Sequence, residues 1–325
     1  MSHPYTSARL FEEFILERRA LGYIFKTDEG SIRRFLQNFV EPVDGIIEFT
    51  KEYVLENTKR KANQSDNTVM RDISAINCFM DFAIRKGFNA YRIPHRSLPK
   101  IKRNFVAHIF SDDEIQRMLA AADSTPYKKQ SPDRHFQIPV MFRIMFNCGL
   151  RTSEVINLKR NNVDLSENIL TVLDTKFHKD RLVPFSDEVF TSIKNYLEKV
   201  PPRNANDYIF RSPKTGSKYG ANMLHAFFRD LLYRAGIPCG GRGIGPRPHD
   251  IRHTFAVHCL NNWALSGVDL MAVLPVLSRY LGHSGIKGTQ KYLQLTAQMY
   301  PDIVSKLEDR FGLLIPQPEV RYEAV

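Results

Sequence analysis

Residues 247–258 read RPHDIRHTFAVH and residues 280–295 read YLGHSGIKGTQKYLQL, with a mostly apolar stretch between them. His249 and Arg252 lie three apart, His283 follows a glycine, and Tyr292 comes nine residues later. Upstream, NCGLRTSEVINL at 147–158 adds Arg151. Two arginines, two histidines and a tyrosine can hold a phosphodiester and attack it without a metal. Arginine suits the equatorial oxygens because it is planar, always charged and able to donate two bonds at once. Arg151 and Arg252 are read as that grip, and His283 as a further donor to the same oxygens. A well-placed donor of this kind is worth roughly 3–4 kcal/mol in a transition state.

A phenol with a pKa of about 10 is a weak nucleophile at neutral pH. Tyr292 therefore needs nearby cations and a base, and His249 is the candidate base or a second holder of a phosphate oxygen. The leaving oxygen needs a proton. TKFHKDRLVPF at 175–185 reads as the turn and second strand of a basic hairpin, whose Lys176 is the candidate donor, with Lys179 the alternative. Each residue also has an ordinary reading: Arg151 paired with Glu154, and His253 and His258 as packing neighbours on one helix. His249 and His253 stand at i,i+4, but no HExxH pattern accompanies them, so no metal and no cofactor is expected.

Working outward, the chain of 325 residues has room for two domains. No apolar run approaches the 18 residues of a membrane span. The N-terminus lacks the apolar core of a signal peptide. Cys78, Cys148, Cys239 and Cys259 are scattered without a CxxC, which points away from a disulfide framework and towards a reducing cytoplasm. Net charge is +11 with a pI near 9.4, which reads equally as a solubility charge or as a match for a polyanionic partner. The charge is uneven: no acidic residue falls between Asp81 and Asp112.

Apolar spacing predicts two helices over 5–40, a turn at 41–45, a short helix over 49–56, and a longer one capped by Ser65 and ending by Gly87. The SDDE at 111–114 is a capping box opening a second domain. A buried helix over 139–148 ends at Gly149, and Ser153 is expected to cap the next. Strands are expected at 168–173 and 181–184, and helices at 187–200, 222–235, 249–263, 268–281 and 288–298. The class is mainly α with a small antiparallel β-sheet. The expected division is a helical unit over 1–91, a basic linker over 92–108, a second domain over 109–300 and a tail over 301–325, and the family resemblance described next makes the first the DNA-binding and the third the catalytic domain. Lys59, Arg60, Lys61, Arg96, Lys100, Lys102 and Arg103 are the expected DNA contacts.

The combination resembles the tyrosine recombinase, or phage integrase, family. GLRTSEVINL around Arg151 is similar to its first arginine box, Lys176 to its hairpin lysine, HDIRHTFA to its HxxR motif, and LGHSGIKGTQKY to its second box. All six catalytic positions are matched in order: Arg151, Lys176, His249, Arg252, His283 and Tyr292. The resemblance implies a C-shaped clamp on double-stranded DNA, a 3′-phosphotyrosine formed by Tyr292 and reversed by a 5′-hydroxyl, and a homo-tetramer on two duplexes. It also implies accessory recombination proteins, a nucleoid-associated location, and a C-terminal segment docking on a neighbour through Ile303, Val304, Leu307 and Phe311. The absence of an extra N-terminal arm-binding domain points away from the lambda-type layout. A type IB topoisomerase and a DNA-binding regulator on the same fold are the alternatives. A metal-dependent nuclease or transposase would need a carboxylate cluster, and none is evident.

Overall fold

Thr6, Thr50, Ser65 and Ser111 each stand just before a helix, and each hydroxyl accepts the backbone N–H three residues on, from Arg9, Tyr53, Thr68 and Glu114. These bonds satisfy donors that a helix start leaves free. In this computed structural model the described residues are 5–23, 26–43, 46–62, 64–98, 106–173, 180–240, 245–283 and 285–299. The chain forms two compact units, Met1–Phe105 and Val106–Val325.

In the first unit, helices α1 (Ser7–Ala20), α2 (Lys26–Leu36), α3 (Lys51–Asn57) and α4 (Asp66–Arg85) enclose Leu10, Phe14, Ile32, Phe35, Phe79 and Met80. Phe14 and Phe79 meet edge to face at 5.4 Å. The expected helix over 49–56 begins later, because Phe49 belongs to β1 (Glu48–Phe49), which pairs in parallel with β2 (Asn89–Ala90). Thr50 then caps α3. Residues 92–98 pack on this unit. Ile93 is buried, and its N–H and carbonyl are both bonded at 3.0 Å by the side chain of Asn77. Arg92 pairs with Asp81 at 2.9 Å.

The second unit opens with α5 (Asp112–Asp123), whose capping box is complete: Glu114 reaches back to the Ser111 N–H at 3.0 Å. Helix α6 (Arg134–Cys148) is apolar around most of its circumference and runs through the core against α5, α8 (Asp187–Lys199) and α10 (Pro248–Leu265). It starts a turn before the expected Pro139, which sits inside it. It ends at Gly149, with φ +59 and an N–H donated to Met145. Helix α7 (Thr152–Asn157) follows. Arg151, not Ser153, holds its N-cap position, because the Glu154 carboxylate accepts the Arg151 N–H at 2.8 Å.

A three-stranded antiparallel sheet runs in the order β3 (Val163–Asp164), β4 (Ile169–Val172), β5 (Arg181–Pro184). Leu170 and Val183 are partners and face the core with Val172. Helices α9 (Ala221–Arg234), α11 (Leu270–Leu281) and α12 (Lys287–Met299) complete the unit. Among the described residues no helix is long and apolar enough to cross a membrane.

Candidate active site

Two helix ends set the position of the two arginines. Helix α6 stops at Gly149 and α11 stops at Gly282, both in the left-handed region (φ +59 and +66). Such ends leave carbonyls without intrahelical partners and carry partial negative charge. Guanidinium groups take them up. Arg252 on α10 donates to the carbonyls of Gly149, at 3.0 Å, and Leu281. Arg151 donates to the carbonyl of Gly282 at 3.0 Å. Arg252 is 1% exposed, whereas the side chain of Arg151 keeps 30% of its surface open. Burial, and then repulsion from Arg151, lower the Arg252 pKa to about 10.

Glu154 holds the arginines together. Its Oε1 accepts from Arg151 at 2.6 Å, and its two oxygens accept in parallel from Arg181 at 2.9 and 2.8 Å. Arg252 lies 3.8 Å away. Burial pushes this carboxyl up, but Arg181, the Arg151 N–H and Arg252 outweigh it, and the net shift is down. Arg181 also donates through Nε to the Tyr280 carbonyl at 2.8 Å, tying strand β5 to the end of α11. Sequence reasoning saw Glu154 only as an ordinary partner for Arg151 and passed over Arg181. The signal available was its place two residues after Lys179.

Helix α10 presents His249 and His253 one turn apart, their rings edge to face at 4.7 Å. Nδ1 of His253 lies 3.1 Å from the Tyr292 hydroxyl, so the histidine assigned to packing is the one that meets the phenol. His283, next to Gly282, stacks on the Tyr292 ring at 6.1 Å and 19°. Its Nδ1 is 2.7 Å from the Thr289 hydroxyl. Gly288 leaves it room, since a Cβ there would stand 3.2 Å from the His283 ring.

Tyr292 is 0% exposed. Burial pushes its phenol up, with Arg252 and Arg151 opposing, and the net shift is up. All three imidazoles are held neutral at pH 7. Desolvation and then Arg252, Lys291 and Arg151 bring His249 to about 4. The exposed edge of His249 tempers the first cause, and both causes act downward. His283 is brought to about 4 by burial, Arg252 and Arg151, and His253 to about 3 by burial, Lys291 and His249. Lys291 is itself lowered by burial and the two arginines, and its Nζ sits 5.0 Å over the Tyr292 ring. The result is a phenol among cations and neutral imidazoles, a setting suited to binding an anion and attacking it.

Arg151, His249, Arg252, His283 and Tyr292 are thus brought together. Lys176 and its alternative Lys179 lie outside the described residues, as do Lys100, Lys102, Arg103 and the 301–325 tail. Lys59, Arg60, Lys61 and Arg96 are exposed. Lys59 is paired with Glu56, and Arg60 with Asp66 at 2.9 Å. The Tyr280 hydroxyl reaches the Pro184 carbonyl at 3.4 Å, and its ring stacks on Phe255. Among the described residues no group of three or more His, Cys, Asp or Glu is arranged to hold a metal ion.

Residues 108–299, more than half of the chain, match the model of the phage integrase family. A protein of Sinorhizobium fredii named integrase/recombinase y4rB is 28% identical over 311 residues, covering 94% of this chain and 98% of that protein. A tyrosine recombinase of Pseudothermotoga lettingae is 26% identical over 304 residues, covering 91% of this chain and 96% of that protein. Among solved structures, the Tn1549 transposon integrase in complex with transposon right-end DNA shares the fold, with a TM-score of 0.62 at 16% identity over 93% of this chain and 99% of that one. XerH bound to palindromic difH substrate gives 0.60 at 16% identity, over 93% and 85%.

Proposed function

The chain belongs to the phage integrase family and is a tyrosine-type DNA recombinase, and on that premise we propose that Tyr292 cleaves DNA by attacking a backbone phosphate. The phenol oxygen bonds to phosphorus while the bond to the 5′ oxygen breaks, leaving a 3′-phosphotyrosine and a 5′-hydroxyl. A 5′-hydroxyl of a partner strand reverses the step, and because each bond is exchanged for another, no ATP is consumed. Arg151 and Arg252 hold the non-bridging oxygens. With the Thr289 hydroxyl donating to Nδ1, His283 donates from Nε2 to the same oxygens. His249, neutral at pH 7, is free to take the phenol proton, and an arriving phosphodiester anion makes it a better base. Lys176 protonates the leaving oxygen.

The observation that most supports this reading is the convergence on Tyr292 of side chains from three separate stretches, around Arg151, around Arg252 and at His283. Double-stranded DNA is the partner, with four protomers on two duplexes, assisted by accessory proteins, in integration, excision or transposition. Lys59, Arg60, Lys61 and Arg96, with Lys100, Lys102 and Arg103, hold the phosphate backbone.

The test is covalent trapping on nicked duplexes drawn from DNA flanking the gene, in EDTA, resolved on a denaturing gel. Wild type is expected to give a shifted protein–DNA band and Tyr292→Phe none. A band from Tyr292→Phe, or a strict need for Mg²⁺, would overturn the mechanism.

A further inference from the structure

The Tyr292 hydroxyl is enclosed, and there it meets Nδ1 of His253 at 3.1 Å as well as a hydrogen bond from Arg252. The His253 ring has little freedom. It is 6% exposed, His249 stands edge-on to it at 4.7 Å, and the Tyr292 ring lies tilted against it at 5.4 Å. The tyrosine is held from its backbone as well, since the Thr296 hydroxyl donates to the Tyr292 carbonyl at 2.8 Å. We infer that His253 is a positioning residue that seats the nucleophile, its Nδ1 holding the Tyr292 hydroxyl in the direction from which it attacks. The inference rests on the reading of Tyr292 as the nucleophile.

Seating the hydroxyl does not require His253 to take its proton. Lys291, His249, Arg252 and Arg247 all oppose a positive charge on its ring, and with burial they bring it to about 3. A neutral imidazole can still bond the oxygen in either tautomer, by accepting the phenol proton or by donating its own. With Nδ1 engaged by the hydroxyl and the ring 6% exposed, His253 fixes the oxygen in space, whichever group takes the proton.

The inference depends on one nitrogen, and amide side chains separate the two. In His253→Asn the amide reaches the place of Nδ1, and in His253→Gln it reaches the place of Nε2. The first readout needs no DNA. With 3-fluorotyrosine placed at position 292, the fluorine resonance and its titration with pH are followed in wild type, His253→Asn, His253→Gln and His253→Leu. The second is the single-turnover rate of adduct formation on the trapped duplex, alongside DNA affinity and melting temperature.

The expected result is that Gln and Leu move the resonance and titration and slow adduct formation at least about tenfold at unchanged DNA affinity. Asn is expected to stay within about threefold of wild type. Asn and Gln falling equally, or neither changing the fluorine signal or the rate, would overturn the seat. An adduct that persists in Tyr292→Phe would instead overturn the parent reading, and the fluorine comparison would still judge the hydrogen bond.

Discussion

Arg181 and Glu154 face each other squarely, fork to carboxylate, with only 8% and 7% of their side chains exposed. Removing one partner of such a buried pair leaves a charge enclosed with less compensation, at a cost of about 3–5 kcal/mol. Arg181→Met is therefore expected to lower the unfolding free energy by that amount, read as a lower urea midpoint. Arg181→Lys, which cannot span both oxygens, should recover only part of the loss. An unchanged midpoint in Arg181→Met would mean that Arg151 alone satisfies the carboxylate.

Gly149 is constrained twice. Its φ is +59, and a Cβ there would stand 2.4 Å from Cδ1 of Phe255. Gly149→Ala should cost about 1–2 kcal/mol for the left-handed backbone and about 1–3 kcal/mol for overpacking. Because the Gly149 carbonyl anchors Arg252, cleavage should fall along with stability. Adding Phe255→Leu should recover the overpacking part and not the backbone part, as read from denaturation midpoints. Full recovery would show that the backbone carries no strain.

Stability should fall on acidification. His249 and His283 sit at about 4 and His253 at about 3, against about 6.5 in an unfolded chain. Between those limits the unfolded state binds more protons, so stability is full above about pH 6.5 and drops as pH falls toward 4. Asp250, pushed up by burial, acts the other way only near the carboxylate range. Urea midpoints at pH 7.5, 5.5 and 4.5 should decrease in that order. A midpoint that held steady to pH 5 would contradict neutral histidines.

The role of Lys176 can be isolated by changing the leaving group. Lys176→Ala should slow cleavage of ordinary DNA about 10²–10⁴-fold. A substrate with sulfur in the 5′ bridging position expels a thiolate that needs no proton, and should restore the rate. Lys179→Ala should behave as wild type on both. The reverse pattern would pass the role to Lys179.

Helix boundaries in the second unit were readable because caps and apolar spacing are local: the Ser111 box, the stop at Gly149 and the span of α10 all follow from neighbours in sequence. The two-residue strands β1, β2 and β3 were not, since their pairing is set by distant partners. The Ser153 cap gave way to Arg151 because a carboxylate three residues on competed for the same end of the helix. Within the site, the motif spacing marked Arg151, His249, Arg252, His283 and Tyr292. The contact of His253 with Tyr292 spans 39 positions, and no local pattern distinguishes that ring from His258, which bonds the Phe110 carbonyl.

The complete enclosure of Tyr292 bears on what happens after DNA is broken. A phosphotyrosyl ester survives only as long as water stays away from its phosphorus, and a pocket closed to solvent slows that loss. The same walls that hold a phenol at rest would shelter the ester it forms, so that the next nucleophile to arrive is a DNA end. Fidelity in rejoining would then come from keeping a competitor out, with no need to recognise the incoming strand any faster.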